Sequence, residues 1–239
     1  MPGILSKITE RRLLLLEGKE ELNLYCALLN HLGLCEKTDF REFPTPRGEE
    51  ETFPTRSGPG VHAFSYGGKP ERISAMLRGL KDLVGFDRVA VLAVLCDAEQ
   101  GAANSEKAIQ AALRAAGFPT PVRHSEWVSS HPEVGYLIHP PGETKGVLED
   151  LCLQAVSGDK AVRCVDGYFS CLKALRMEHT SAALSKARAR VFLASRQEPH
   201  VSVGVGAYKG YWNFDHPAWE PVKSFLREFW SRGGQAGQA

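Results

Sequence analysis

The sequence predicts an α/β fold: a parallel sheet flanked by helices, followed by a helix-rich C-terminal extension. Two apolar runs, Leu13 to Leu16 and Val89 to Cys96, read as buried strands, and each stops at an acid, Glu17 and Asp97. Each run is followed by a stretch whose apolar residues recur with helical spacing. With 43% hydrophobic and 24% charged residues over 239 positions, the chain can bury a core of its own rather than remain disordered. The expected organisation is a single domain with its core over residues 8–160, a helical part over 161–232 and a tail over 233–239.

The elements follow in order. Arg12 to Leu16 is a strand that ends in the Glu17-Gly18 loop. Lys19 to Leu34 places Leu22, Tyr25, Leu28, Leu29 and Leu32 on a helical stripe closed by Gly33. Residues 39–60 carry four prolines and three successive glutamates, which predicts an exposed loop able to gate a site or touch a second subunit. Val61 to Tyr66 alternates as a second strand, Gly67-Gly68-Lys69-Pro70 turns the chain, and Ile73 to Val84 forms an amphipathic helix. Arg88 to Asp97 is the strongest strand signal, and Ser105 to Ala116 is an alanine-rich helix ended by Gly117. Val134 to His139 predicts a fourth strand and Val147 to Val156 a short helix. Repeated βα units imply parallel pairing with right-handed crossovers. Beyond them lie helices over 166–175 and 184–196, a Gly-rich segment over 203–210 and a terminal helix over 217–230.

Composition removes several function classes. The 29 Lys and Arg nearly cancel the 28 Asp and Glu, so there is no global basic field and any nucleic-acid contact must be local. No apolar run approaches the ~20 residues of a membrane span and no signal-peptide core follows Met1, which predicts a cytoplasmic protein with no membrane partner. Six cysteines without a CxxC pair read as reduced thiols rather than a zinc site. Neither HExxH nor GxSxG is present, so zinc-protease and serine-hydrolase chemistries recede.

Open parallel sheets bind ligands beyond the carboxyl ends of their strands, where Glu17 and Asp97 stand. Glu99, two residues after Asp97, projects to the same side if the extended geometry continues. Three carboxylates so close resist ionising together unless a cation neutralises them, and an all-oxygen set suits Mg²⁺ or Mn²⁺. The plainer reading is that these acids are solvated loop residues or helix caps.

The run Leu15-Leu16-Glu17-Gly18-Lys19-Glu20-Glu21, with the later strand ending Asp97-Ala98-Glu99, resembles the Toprim signature of a first-strand glutamate and a later Asp-x-Asp. More closely, the chain is similar to a family of Toprim-like proteins related to the nuclease domain of the OLD family. That similarity extends through Gly146-Val-Leu-Glu149-Asp150-Leu and the segment Tyr208 to Pro217. The resemblance implies a Toprim-like, Rossmann-like fold, use of Mg²⁺ and cleavage of phosphodiester bonds in nucleic acid. Glu17 and Asp97 are then the catalytic and metal-binding acids, Glu99 joins them, and Glu149 or Asp150 serves a second ion. Glu99 departs from the usual second aspartate by one methylene. The alternative implied is a catalytically weak module that binds a nucleotide, a phosphorylated ligand, a protein partner or a second copy of itself.

Four lysines are candidate phosphate contacts: Lys19 after the first strand, Lys69 in the Gly67-Gly68-Lys69 turn, Lys145 and Lys209. Lys69 lacks the Walker A spacing, so a plain tight turn is the competing reading. Lys186, Arg188 and Arg190 read as a solvated helix face or as backbone contacts to nucleic acid. The aromatics Tyr208, Tyr211, Trp212, Phe214 and Trp219 read either as a base-stacking surface or as the packing that docks the terminal helix.

Overall fold

The structure, a computed structural model, describes residues 7–35, 41–47, 51–58, 60–68, 70–177 and 179–232. Seven strands form one sheet: β1 (Arg12–Leu16), β2 (Arg41–Arg47), β3 (Glu51–Gly58), β4 (Val61–Ser65), β5 (Val91–Asp97), β6 (Trp127–Val128) and β7 (Glu133–His139). Their order is β2-β3-β4-β1-β5-β7-β6. The four central strands β4, β1, β5 and β7 run parallel, while β2, β3 and β6 are antiparallel margins.

The helices are α1 (Lys19–His31), α2 (Pro70–Lys81), α3 (Ala102–Ala115), α4 (Leu148–Ala155), α5 (Lys160–Ala174), α6 (Ser181–Ala194), α7 (Val203–Tyr208) and α8 (Glu220–Arg232). Strand alternation sorts the core into two layers. Leu13, Leu15, Val94 and Cys96 face α2 and α3, whereas Leu14, Leu16, Ala93 and Leu95 face α1 and the C-terminal helices. β1 and β5 are buried on both faces, which is why their sequences read as nearly continuous apolar runs.

Two expectations need correcting. Within the expected loop 39–60, residues 41–47 and 51–58 form the antiparallel pair β2–β3, in register Phe43↔Thr55 and Pro44↔Pro54, while 39, 40, 48–50 and 59 lie outside the described residues. Prolines argue against a central strand, yet Pro44 and Pro46 sit on the outermost strand, and Pro54 lies where β3 is not paired to β4. The Gly-rich segment is the helix α7, and its glycines permit close packing. A Cβ at Gly204 would lie 2.5 Å from Asn23 Cβ and from the Glu20 carbonyl oxygen, and one at Gly206 would lie 2.8 Å from Leu193 Cδ2.

Four of the six cysteines are buried and all six are free thiols. Among the described residues no helix is long and apolar enough to cross a membrane.

Candidate metal centre

β1 and β5 are neighbours, paired from Arg12↔Val91 to Leu15↔Val94, so their carboxyl ends lie side by side. The chain leaves them on opposite faces, β1 toward α1 and β5 toward α3, and a crevice opens between the two exits. Glu17 is fixed by its backbone, whose carbonyl accepts from Gly68 N–H at 2.8 Å. Its Oε2 accepts from Asp97 N–H at 3.2 Å. Asp97 closes β5 opposite His139 and is 3% exposed.

After Asp97 the chain turns sharply. Glu99 adopts a left-handed φ of 52° and exchanges two backbone hydrogen bonds with Gly146, at 2.7 and 3.0 Å. A non-glycine residue in that region is uncommon, and here the bridge to Gly146 holds it. One ligand oxygen from each of Glu17, Asp97 and Glu99 lies within 4.8 Å of the others. Asp97 is buried, Glu17 half-buried and Glu99 exposed, so the trio grades from core to solvent.

The acidic pair opening α4 divides into two roles. Both oxygens of Asp150 are engaged: Oδ2 accepts from Val147 N–H at 2.9 Å, as in a capping box, and Oδ1 accepts from the Ser185 hydroxyl. Glu149 instead keeps a buried Oε2 with no hydrogen-bond partner and acts electrostatically on Glu17 and Asp97. Asp97 shows the same pattern. Its Oδ1 accepts from Leu148 N–H at 2.9 Å, while its buried Oδ2 has no partner. An unpartnered buried carboxylate oxygen is costly, and the cluster of Glu17, Asp97 and Glu99 could hold a metal ion.

Burial first, then Glu17 and the surrounding acids, pushes Asp97 well above the usual carboxylate range. Burial also raises Glu17, Glu149 and Glu21. The cation that faces them is Lys186, on α6, whose Nζ lies 4.0 Å from Glu99 Oε1. Its own burial pulls its pKa down, but Glu149, Asp97, Glu99 and Glu17 outweigh that and hold it above the ordinary lysine value.

The donors near Asp97 Oδ2 are all carboxylate oxygens, the set that suits a hard divalent cation. His139 does not join them: it is fully buried, with Nε2 2.7 Å from the Tyr25 hydroxyl, and burial lowers it to about 3, so it stays neutral.

The structure thus brings Glu17, Asp97, Glu99 and Glu149 together and leaves the phosphate candidates dispersed. Lys145 is exposed on the loop just before Gly146, Lys19 begins α1, and Lys209 pairs with Glu198 at 2.7 Å. Lys69 lies outside the described residues. Trp212, Phe214 and Trp219 are buried against the core, while Tyr208 and Tyr211 border a cleft on the face of α1.

The sequence presents Lys186 only as part of a solvated helix face or a nucleic-acid contact, not as the cation facing these acids, and assigns Glu21 no role. Their only signal is a charged residue within a partly apolar helix, and most such residues are solvated.

A crystal structure of a hypothetical protein, PH0156, from Pyrococcus horikoshii OT3 shares the fold with a TM-score of 0.60 at 18% identity, covering 92% of this chain and 95% of that one. No curated protein matches the chain. The model of a family described as "Protein of unknown function (DUF3226)" matches residues 11–231, nearly the whole of the folded chain, and the protein belongs to that family.

Proposed function

We propose that this protein is a Mg²⁺- or Mn²⁺-dependent enzyme of Toprim type that hydrolyses phosphodiester bonds in nucleic acid. The observation that carries the reading is the unpartnered, buried Asp97 Oδ2, set with Glu17 and Glu99 at the carboxyl ends of two adjacent parallel strands. Glu17, Asp97 and Glu99 would hold one ion, and Glu149, with its own unpartnered Oε2, would stand toward a second. Such an ion supplies charge neutralisation at the phosphate and a more acidic water.

The chain supplies the rest. Asp97 and Glu17 are fixed by Leu148 N–H and Asp97 N–H, so the ligand oxygens are preorganised before any substrate arrives. Glu149, where no second ion occupies it, would accept a proton from the attacking water as its oxygen bonds to phosphorus, and the departing ester oxygen would take a proton from solvent. Lys186 offers an ammonium on the solvent side of the same group, where negative charge builds on the phosphate.

The test is titration of wild type and Asp97→Asn with Mg²⁺ and Mn²⁺ by calorimetry, with cleavage of single- and double-stranded DNA and RNA in the same buffers. The asparagine keeps an oxygen for Leu148 N–H, so the fold is preserved while the charge is removed. Metal binding and cleavage that both disappear support the reading; no metal binding by wild type rejects it.

A second reading rests on Lys186. Its ammonium already balances part of the acidic group, as in a module that binds a phosphorylated ligand without cleaving it. Metal binding without cleavage of any of the four substrates selects that reading.

A further inference from the structure

The three carboxylates also line a cavity of about 200 Å³. Its remaining wall is Tyr66 beyond β4, Ile73 on α2, Cys96 on β5, and Ser105, Ala108 and Ile109 on α3, so it is a slot running under the two helices. Tyr66, Ile73, Cys96 and Ile109 are buried there, and Ala108 is half-buried. The volume falls below the roughly 300–1,000 Å³ of sites that take drug-sized ligands, and suits one ring system.

Charge decides which part of a substrate enters. Among the described residues, three acids and no lysine or arginine line the slot. A phosphate inside would face those acids unaided, whereas a phosphate at its rim would meet the carboxylate-bound ion and Lys186. The slot therefore suits the neutral part of a phosphate ester, with apolar side chains against its faces, Tyr66 in its wall, and Ser105 Oγ, whose proton goes to the Ala98 carbonyl, left to act as an acceptor. A nucleobase has this shape and chemistry. A base stacked in a duplex cannot enter without being unpaired and extruded, which costs free energy that a strand end or free nucleotide avoids.

We propose that the slot receives the single unpaired base next to the phosphate held at the carboxylates, making the substrate a single-stranded nucleotide end or a small nucleotide. This rests on the metal-site reading above.

The experiment measures binding of AMP, CMP, ribose 5-phosphate and inorganic phosphate to the full chain by calorimetry, with and without Mg²⁺, alongside the Mg²⁺ isotherm itself. Ala108→Phe fills the slot from a half-buried position and leaves every carboxylate in place; Ala108→Leu is the milder variant, used if the larger side chain disturbs the fold. We expect at least one nucleotide to bind tenfold or more tightly than ribose 5-phosphate. Both variants should lose that advantage, Phe more than Leu, while the Mg²⁺ isotherm stays unchanged. Cleavage of end-labelled strands should favour single-stranded ends if a strand is the source of the base, and binding of free nucleotide without strand cleavage assigns the slot to the small ligand. Equal binding of nucleotide and ribose 5-phosphate, or full nucleotide binding by Ala108→Phe, overturns the proposal. Failure of wild type to bind Mg²⁺ would reject the metal reading separately, because nucleotide binding measured without metal still decides the slot.

Discussion

Two aspartates in this molecule sit in opposite electrostatic worlds. Asp159 borders a cleft of about 920 Å³ on the face of α1 and has its oxygens answered by protein. It caps α5 by accepting from Ala161 N–H at 2.8 Å, and Arg196 grips it at 2.9 and 3.2 Å while lying 4.3 Å above the Phe192 ring. Those hydrogen bonds from Arg196 hold Asp159 below its ordinary value. Nearby charges are paired in the same way, His31 with Asp215 at 3.0 Å and Lys209 with Glu198 at 2.7 Å. Asp97 is more deeply buried, keeps an unpartnered oxygen and is pushed upward. Asp159 is thus answered at both oxygens, while Asp97 keeps one buried oxygen unmet.

The sharpest way to break the contrast is Asp97→Asn, which should weaken Mg²⁺ or Mn²⁺ binding by roughly 100-fold or more in calorimetry. Asp159→Ala should leave that isotherm untouched and instead lower stability by about 1–2 kcal/mol in urea denaturation, through loss of the cap and the arginine pair.

The pH dependence should differ in sign. Asp97 holds its proton to higher pH folded than unfolded, so the metal-free protein loses stability as pH rises from the ordinary aspartate range toward the raised folded value. Asp159 is lowered, so its contribution is complete above that range and is lost as pH falls through its folded value. Urea midpoints across pH should show Asp97→Asn flattening the first decline and Asp159→Asn the second; the reverse assignment would sink the comparison.

Lys186→Met should strengthen metal binding severalfold, about 1 kcal/mol, if ammonium and ion compete for the same oxygens. Unchanged affinity would separate the two. The smallest effect belongs to Gly167, inside α5, where an added Cβ meets nothing within 4 Å. Gly167→Ala should stabilise by about 0.5–1 kcal/mol, with metal binding unaltered.

The parallel centre of the sheet was legible because strands buried on both faces must be apolar throughout, and Leu13 to Leu16 and Val91 to Cys96 can be little else. Glu17 and Asp97 followed from their place at the ends of those runs. The pair β2–β3 was hidden by prolines that the edge position of β2 and the stretch of β3 not paired to β4 make compatible with a strand. The helix α7 was hidden by Gly204 and Gly206, whose reason is the nearness of α1 and α6, a contact across the chain. Lys186 joins carboxylates that precede it by 37 to 169 positions, and local periodicity carries no trace of such a meeting.

The turn at Glu99 has a consequence for how the molecule comes into being. The Asp97–Ala102 turn is stitched to a later segment: Ala98 N–H to the His139 carbonyl, Glu99 to Gly146 in both directions, Ala102 N–H to the Thr144 carbonyl, and Asp97 itself to Leu148 N–H. A nascent chain that has emerged only as far as β5 already carries Glu17 and Asp97 on paired strands, yet the partners that hold Glu99 and Asp97 Oδ1, Gly146 and Leu148, have still to follow. The carboxylate cluster is therefore completed late in biosynthesis, only after Leu148 has arrived to hold Asp97.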